Sequence, residues 1–259
     1  MPRQTFSTNV EPMETQKLDE DVLTFNKVLS GWDEHRRNQF AHEVNITWCF
    51  HEFALEGVVL GELEIRSALD DRVISDSSLI PHYDDVVAFY KGMQQARLDA
   101  QKKRITVNMT YIKELHELIT PPEDTKLLAY RKEMPLHRQY AHDFAPPEKI
   151  PYRMRKLGEW MQSPGYRKLT PIARAAALHN RIMAVFPWPK NSGSLARLIM
   201  NIVLMHAGYP PAIIPHQERQ IYYDHILADI NQDNEIHMVQ MINDTISLFM
   251  NSAVKRYTR

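Results

Sequence analysis

Phe186-Pro187-Trp188-Pro189-Lys190-Asn191-Ser192-Gly193-Ser194-Leu195-Ala196-Arg197 is the stretch that decides the fold of this chain. Pro187 and Pro189 lack the backbone N–H that a helix interior needs, so the segment from Phe186 to Gly193 reads as a loop. Upstream, Thr170-Pro171 is a helix start, a capping hydroxyl followed by proline at the first helical position. From there Ile172, Ala175, Ala176, Ile182, Met183 and Phe186 fall on one apolar stripe. His179 shares the stripe and reads as a hydrogen-bonded core histidine. Downstream, Ser194 to Ala207 is apolar enough to be buried, and Gly208-Tyr209-Pro210-Pro211 stops it. The nucleus is a helix, a Pro/Gly loop and a second helix.

Helical patterns continue in both directions. Thr110 to Ile119 carries Ile112, Leu115 and Leu118 on one side and is closed by Pro121-Pro122, and Ile150 to Gln162 follows later. Between Tyr130 and Phe144 the helical period fails while His, Arg and Tyr accumulate, so a loop or short β-hairpin is expected there. On the N-terminal side, Val22, Phe25, Val28, Leu29 and Trp32 recur at helical spacing, and Asp33 to Arg37 either continues that helix or starts another. The apolar run Trp48 to Leu55 stops at Glu56-Gly57, and Glu62 to Leu69 and Pro81 to Lys102 repeat the pattern. Gln217 to Ile230 and Ile236 to Met250 complete the set, with a frayed basic end from Lys255 to Arg259. The expected organisation is a flexible tail (1–20), an N-terminal helical region (21–104), a core (105–235) and a C-terminal helix and tail (236–259). The expected fold is all-α, a helical bundle with one small β-hairpin.

Composition sets outer bounds. A chain of 259 residues buries a large core without a metal or disulfide staple. Eight Gly against 16 Pro and 13 Met leaves little material for tight hairpins and favours helices. A net charge of −1 gives no electrostatic reason to expect nucleic acid or an anionic membrane as partner. The single cysteine, Cys49, excludes an internal disulfide and a multi-cysteine zinc site and fits a reducing, cytoplasmic compartment. The acidic start carries no apolar run of secretory type, and Leu195 to Tyr209, broken by Arg197 and Asn201, is too short to span a bilayer.

The loop with its flanking helices resembles the central motif of the Fic (Fido) family, H-P-F-x-[D/E]-G-N-G-R-x-x-R followed by an apolar helix and a G-Y-P-P turn. The likeness extends to the Thr110 helix, to Phe144-Ala145-Pro146-Pro147 and to Tyr222-Tyr223. It implies a Fic-type helical fold with a small β-hairpin flap, and a family chemistry of AMP transfer to protein hydroxyls. The framing residues match while the chemical ones do not. By this resemblance Phe186 stands where the proton-accepting histidine belongs, and Pro187 and Trp188 continue the motif. Lys190 replaces the acidic Mg²⁺ ligand, and an ammonium repels a cation. Asn191, Ser192 and Gly193 replace the Gly-Asn-Gly anion cradle, Ser194 replaces the first arginine, and Arg197 keeps the second. Loss of a general base alone costs about 10²–10⁴ in rate. No ordinary AMP transfer is expected, and the catalytic set is empty.

Two further expectations follow from the resemblance. Glu52-Phe53-Ala54-Leu55-Glu56-Gly57 is similar to the inhibitory helix pattern [S/T]-x-x-x-E-[G/N], over about residues 47–57, which pairs Glu56 with Arg197. Glu52 stands there where Ser or Thr is usual. The Tyr130 to Phe144 region corresponds to the target-docking flap, which implies a protein partner aligned along 130–144 by strand addition; Tyr130, Arg131, His137, Arg138, Tyr140 and His142 make it amphipathic and basic. The reading is a degenerate Fic protein, a pseudoenzyme that binds a protein partner. Lys190, Asn191, Ser192, Gly193 and Arg197 are left as a metal-free site for a nucleotide or phosphate, and no cofactor is fixed. A homodimer fits the family habit. The alternative is a transferase that uses a different base, with His142 or His216 as the candidates.

Overall fold

The computed structural model describes residues 12–70, 80–135 and 144–257. Eleven helices are described, α1 (Pro12–Ser30), α2 (Glu34–Leu55), α3 (Glu62–Leu69), α4 (Ile80–Ala100), α5 (Met109–Leu118), α6 (Ile150–Met161), α7 (Pro164–Lys168), α8 (Pro171–Val185), α9 (Ser192–His206), α10 (Arg219–Gln232) and α11 (Ile236–Tyr257). No strand occurs among the described residues. Residues 136–143, which contain His137, Arg138, Tyr140 and His142 of the expected flap, lie outside them.

The α8–loop–α9 nucleus is at the centre. Helix α9 is apolar on every side and buried along its length from Ser192 to Leu204, the mark of a helix surrounded by others rather than laid on a surface. Its one interior amide, Asn201, exchanges hydrogen bonds with the Ala212 backbone, accepting from N at 2.7 Å and donating to O at 3.2 Å, so the return loop is fixed to the core. Helix α8 begins where the capping hydroxyl of Thr170 accepts from the Ala173 amide, as the Thr-Pro signal predicts. Helices α8, α4 and α5 pack on α9, α10 and α11 pack on α8, and together they supply the rest of one continuous core.

Two boundaries differ from the sequence reading. The expected tail up to residue 20 is helical from Pro12, because Leu18 joins Val22 and Phe25 on one face, each about 5 % exposed or less, and Phe25 meets Phe249 of α11 edge to face at 6.0 Å. The C-terminal helix likewise continues to Tyr257 instead of fraying from Lys255. The choice left open at Asp33 is settled by its carboxylate, which accepts from the Arg36 amide and starts α2 as a separate helix. No helix among the described residues is long and apolar enough to cross a membrane.

Candidate functional site

Helix α8 ends abruptly. Phe186 has φ 46°, ψ 64°, a left-handed conformation that a bulky side chain adopts at a cost of about 1–2 kcal/mol. Three interactions hold it there. Its N–H closes on the Ile182 carbonyl at 2.7 Å, its ring lies 4.8 Å from that of Phe144, and its carbonyl accepts from Arg131 Nε at 2.7 Å. Arg131 also donates to the carbonyls of Ala145 and Val185, and its own N–H meets the Pro187 carbonyl at 2.9 Å. A guanidinium at a helix C-terminus satisfies carbonyls that the helix leaves unpaired and complements its negative end. Arg131, expected on the exposed docking face, is therefore 5 % exposed and caps α8.

Loop 186–193 closes on itself and on α5. Trp188 stacks on His116 with ring centroids 4.2 Å apart and 14° between planes, and donates its indole N–H to the Leu128 carbonyl at 3.1 Å. His116 Nε2 donates to the Lys190 carbonyl at 3.1 Å, and burial pulls its pKa down to about 4, so the ring is neutral. Asn191 takes a left-handed turn, φ 65°, which asparagine tolerates, and its amide donates to the Ile119 carbonyl at the end of α5. The Ser192 hydroxyl accepts from the Trp188 N–H and donates to the Trp188 carbonyl. Lys190 Nζ reaches Asp85 of α4 at 2.6 Å and Asp124 at 3.5 Å. The residues at the motif's metal-binding end do not fit a divalent cation, since an ammonium already lies between the two carboxylates. Among the described residues no three His, Cys, Asp or Glu side chains converge to hold a metal ion.

One turn further along α9 lies Arg197, 2 % exposed. The pairing with Glu56 is present, but a second carboxylate is more deeply engaged: Glu52, 3 % exposed, takes Arg197 Nε at 2.9 and 3.1 Å and also meets Nη2. Sequence reasoning passed over Glu52 because it occupies a position expected to hold Ser or Thr. The available signal was spacing: residues four apart share a helix face, so a Glu56 aimed at Arg197 brings Glu52 with it. Two anions surround one cation. Burial raises the Glu52 pKa, the pull of Arg197 opposes it, Glu56 adds to it, and a hydrogen bond from Ser194 favours the charged form. Burial works against the charge on Arg197, yet Glu52, Tyr222 and Glu56 hold its pKa well above the ordinary value.

From Arg197 a chain of hydrogen bonds crosses the core, and acceptor chemistry fixes its direction. Arg197 Nη1 donates to Tyr222 Oη at 3.1 Å, which leaves the Tyr222 hydroxyl proton for His179 Nε2 at 2.8 Å. His179 Nδ1 then donates to Asn180 Oδ1 at 3.0 Å, and Asn180 Nδ2 to Asp229 at 3.0 Å. Asp229, fully buried, also caps α11 by accepting from the amides of His237 and Met238. His179 is the satisfied core histidine its stripe position predicts. Of the alternative bases, His142 lies outside the described residues, and His216 has its Nδ1 3.1 Å from that of His51, whose pKa burial and His216 lower to about 4.

Residues 106–204 match the Fic/DOC family. Among curated proteins, the chain is 26 % identical over 263 residues to protein adenylyltransferase Fic of Drosophila mojavensis, covering 94 % of this chain and 51 % of the relative. It is 28 % identical over 207 residues to the protein of the same name from Drosophila melanogaster, covering 78 % and 41 %. The chain thus spans about half the length of the curated relatives it matches. Among solved structures it is similar to Fic-1 from C. elegans, with TM-score 0.78 at 19 % identity over 95 % of this chain and 72 % of that one. A Fic domain containing signaling protein from Bacteroides thetaiotaomicron gives TM-score 0.76 at 20 % identity over 93 % and 97 %.

Proposed function

For a chain whose residues 106–204 are a Fic/DOC domain, we propose a catalytically degenerate member, a pseudoenzyme that works as a protein-binding or regulatory module. The observation that carries this reading is Phe186. Where the family's proton acceptor belongs there is a phenyl ring, 2 % exposed and packed on Phe144, with no atom able to take a proton from a hydroxyl. The substitutions around it support the same conclusion. Lys190, paired with two carboxylates, puts an ammonium where the family's Mg²⁺ ligand would stand. Ser194 favours the charge on Glu52 instead of carrying a cation to phosphate. Arg197 is neutralised from the α2 side by both carboxylates.

On this reading the inhibitory-type helix has become a structural clamp. The metal-free anion cradle, Lys190 to Gly193 with Arg197, opens only if Glu52 and Glu56 leave Arg197. The protein partner docks along 130–144, a segment tied to the core at its start, where Arg131 caps α8. The test is a labelled-ATP transfer assay, with and without Mg²⁺, on the unaltered chain, on Glu56→Gly and on Glu52→Ala/Glu56→Gly. The expected result is no label incorporated into the chain or into added cell extract, together with a fall in melting temperature that is larger for the double variant. Label transferred by either variant sinks the proposal and makes the clamp an inhibitor of a working site.

A further inference from the structure

At the opposite ends of α5 and α9 from loop 186–193 lies an open cleft of about 820 Å³. It runs between the segment 105–110, the α6–α7 turn and the C-terminal end of α9. Three properties distinguish it. The first is charge: Arg167 and Arg174 line it and no Asp or Glu does, in a chain whose net charge is −1. Arg167 is exposed, and neither arginine meets a carboxylate among the described residues. Arg174 is fixed as part of the wall, since Nη2 donates to the carbonyls of Arg167 and Leu169, its guanidinium lies 5.2 Å over the Tyr166 ring, and its buried Nε has no acceptor. Exposed Lys103, Arg104 and Lys168 extend the positive field around the rim.

The second property is an unpaired backbone edge. From Arg104 to Asn108 the chain is non-helical and alternates between exposed and half-buried residues, with Ile105 and Val107 against the core and Thr106 outward, which is the pattern of a strand. Among the described residues no backbone hydrogen bond reaches residues 103–107, so a row of donors and acceptors stands open beside the cleft. The third is an apolar floor of Met109, Met161 and Val203.

We propose that this cleft binds an extended acidic segment of a partner protein. The segment's backbone adds as a strand to the 104–107 edge, its carboxylates reach Arg167 and the Lys168 rim, and its intervening apolar side chains lie on the methionine floor. Strand addition supplies register-fixing main-chain bonds while the guanidinium selects for carboxylate. The site goes beyond the flap-docking reading and shares no residue with it.

The test titrates the full chain into the fluorescein-labelled peptide Glu-Val-Glu-Ile-Glu-Val-Glu and follows anisotropy at low and at physiological salt. Saturable binding is expected, weaker at higher salt, with amide-exchange protection appearing at Ile105 to Val107. Arg167→Glu, at an exposed side chain with no structural bond, is expected to weaken binding at least tenfold without moving the melting temperature. The same peptide N-methylated at alternate amides, and its lysine-for-glutamate counterpart, are expected not to bind. No saturable binding, unchanged affinity for Arg167→Glu, or equal affinity for the N-methylated peptide each overturns the proposal. So does tighter binding of a single-stranded oligonucleotide, which would make the cleft a phosphate-backbone site.

Discussion

Loop 186–193 and the clamp on Arg197 stand one helical turn apart on α9, yet they are held together in opposite ways. Inside the loop, closure runs through neutral contacts, ring on ring at Trp188 and His116, an amide on a helix end at Asn191, a hydroxyl on its own backbone at Ser192, while its charged partners stand at the two edges, Arg131 on the Phe186 carbonyl and Lys190 at the exposed rim. The clamp keeps a guanidinium and two carboxylates in an interior where Arg197 is 2 % exposed. Neutral contacts are each worth about 1 kcal/mol and fail one at a time. Buried charges fail together, because removing one leaves the others without compensation. Single substitutions at the rim are therefore expected to leave the arginine beneath it fixed.

The sharpest way to break that comparison is Arg197→Met. It strands the buried Glu52, leaves the half-buried Glu56 unpaired and removes the donor to Tyr222, so a loss of about 3–5 kcal/mol is expected in urea unfolding. Arg197→Met/Glu52→Gln/Glu56→Gln, which removes the stranded charges as well, is expected to recover a large part of it. A single variant as stable as the parent would show that the clamp carries no uncompensated charge.

An intermediate effect belongs to the loop and appears with pH. His116 has a pKa of about 4 in the folded chain against an ordinary 6.5, because burial disfavours its charged form. Between those values the unfolded chain binds the proton that the folded one refuses. The contribution is complete above pH 6.5 and is lost as pH falls through 6.5 towards 4, amounting to about 2–3 kcal/mol. His51, also lowered to about 4, acts in the same direction and window. Unfolding free energies at pH 7 and pH 4.5 are expected to differ less in His116→Phe than in the parent. An equal pH slope in the two would place the titrating group elsewhere.

What the sequence made legible divides along the same line. Helix boundaries around the nucleus were readable because they depend on local signals: Thr170-Pro171 for a start, Pro187 and Pro189 for a break, Gly208 for a stop. Positions 186, 190 and 194 stood out because each holds a residue type other than the one the resemblance predicts at that spacing. Partners distant in the chain were not. Nothing near Lys190 announces Asp85 and Asp124, and Arg131 looked like a surface charge because its acceptors are backbone carbonyls, which every residue has. Glu52 is the intermediate case, visible through its i, i+4 relation to Glu56 and discounted because it broke a pattern. The start of α1 at Pro12 was hidden because one buried residue, Leu18, in a polar stretch makes no periodic signal until α11 is known to pack against α1.

The smallest expected effect tests whether charge at the rim behaves like charge in the clamp. Lys190 is 36 % exposed on its side chain, and so is Asp124 at 41 %, while Asp85 is 14 % exposed. Water screens such groups, so Lys190→Ala leaves carboxylates that solvent reaches, and a loss of about 0.5–1 kcal/mol is expected. The loop keeps its other anchors, since the bonds from His116 to residue 190 and from Asn191 to Ile119 involve the backbone at 190 and a neighbouring side chain. Amide exchange across residues 186–193 should accordingly be unchanged in Lys190→Ala. A loss as large as that of Arg197→Met, with exchange rising through the whole loop, would mean that the Lys190–Asp85 pair carries the rim and that the two regions are held by the same kind of force.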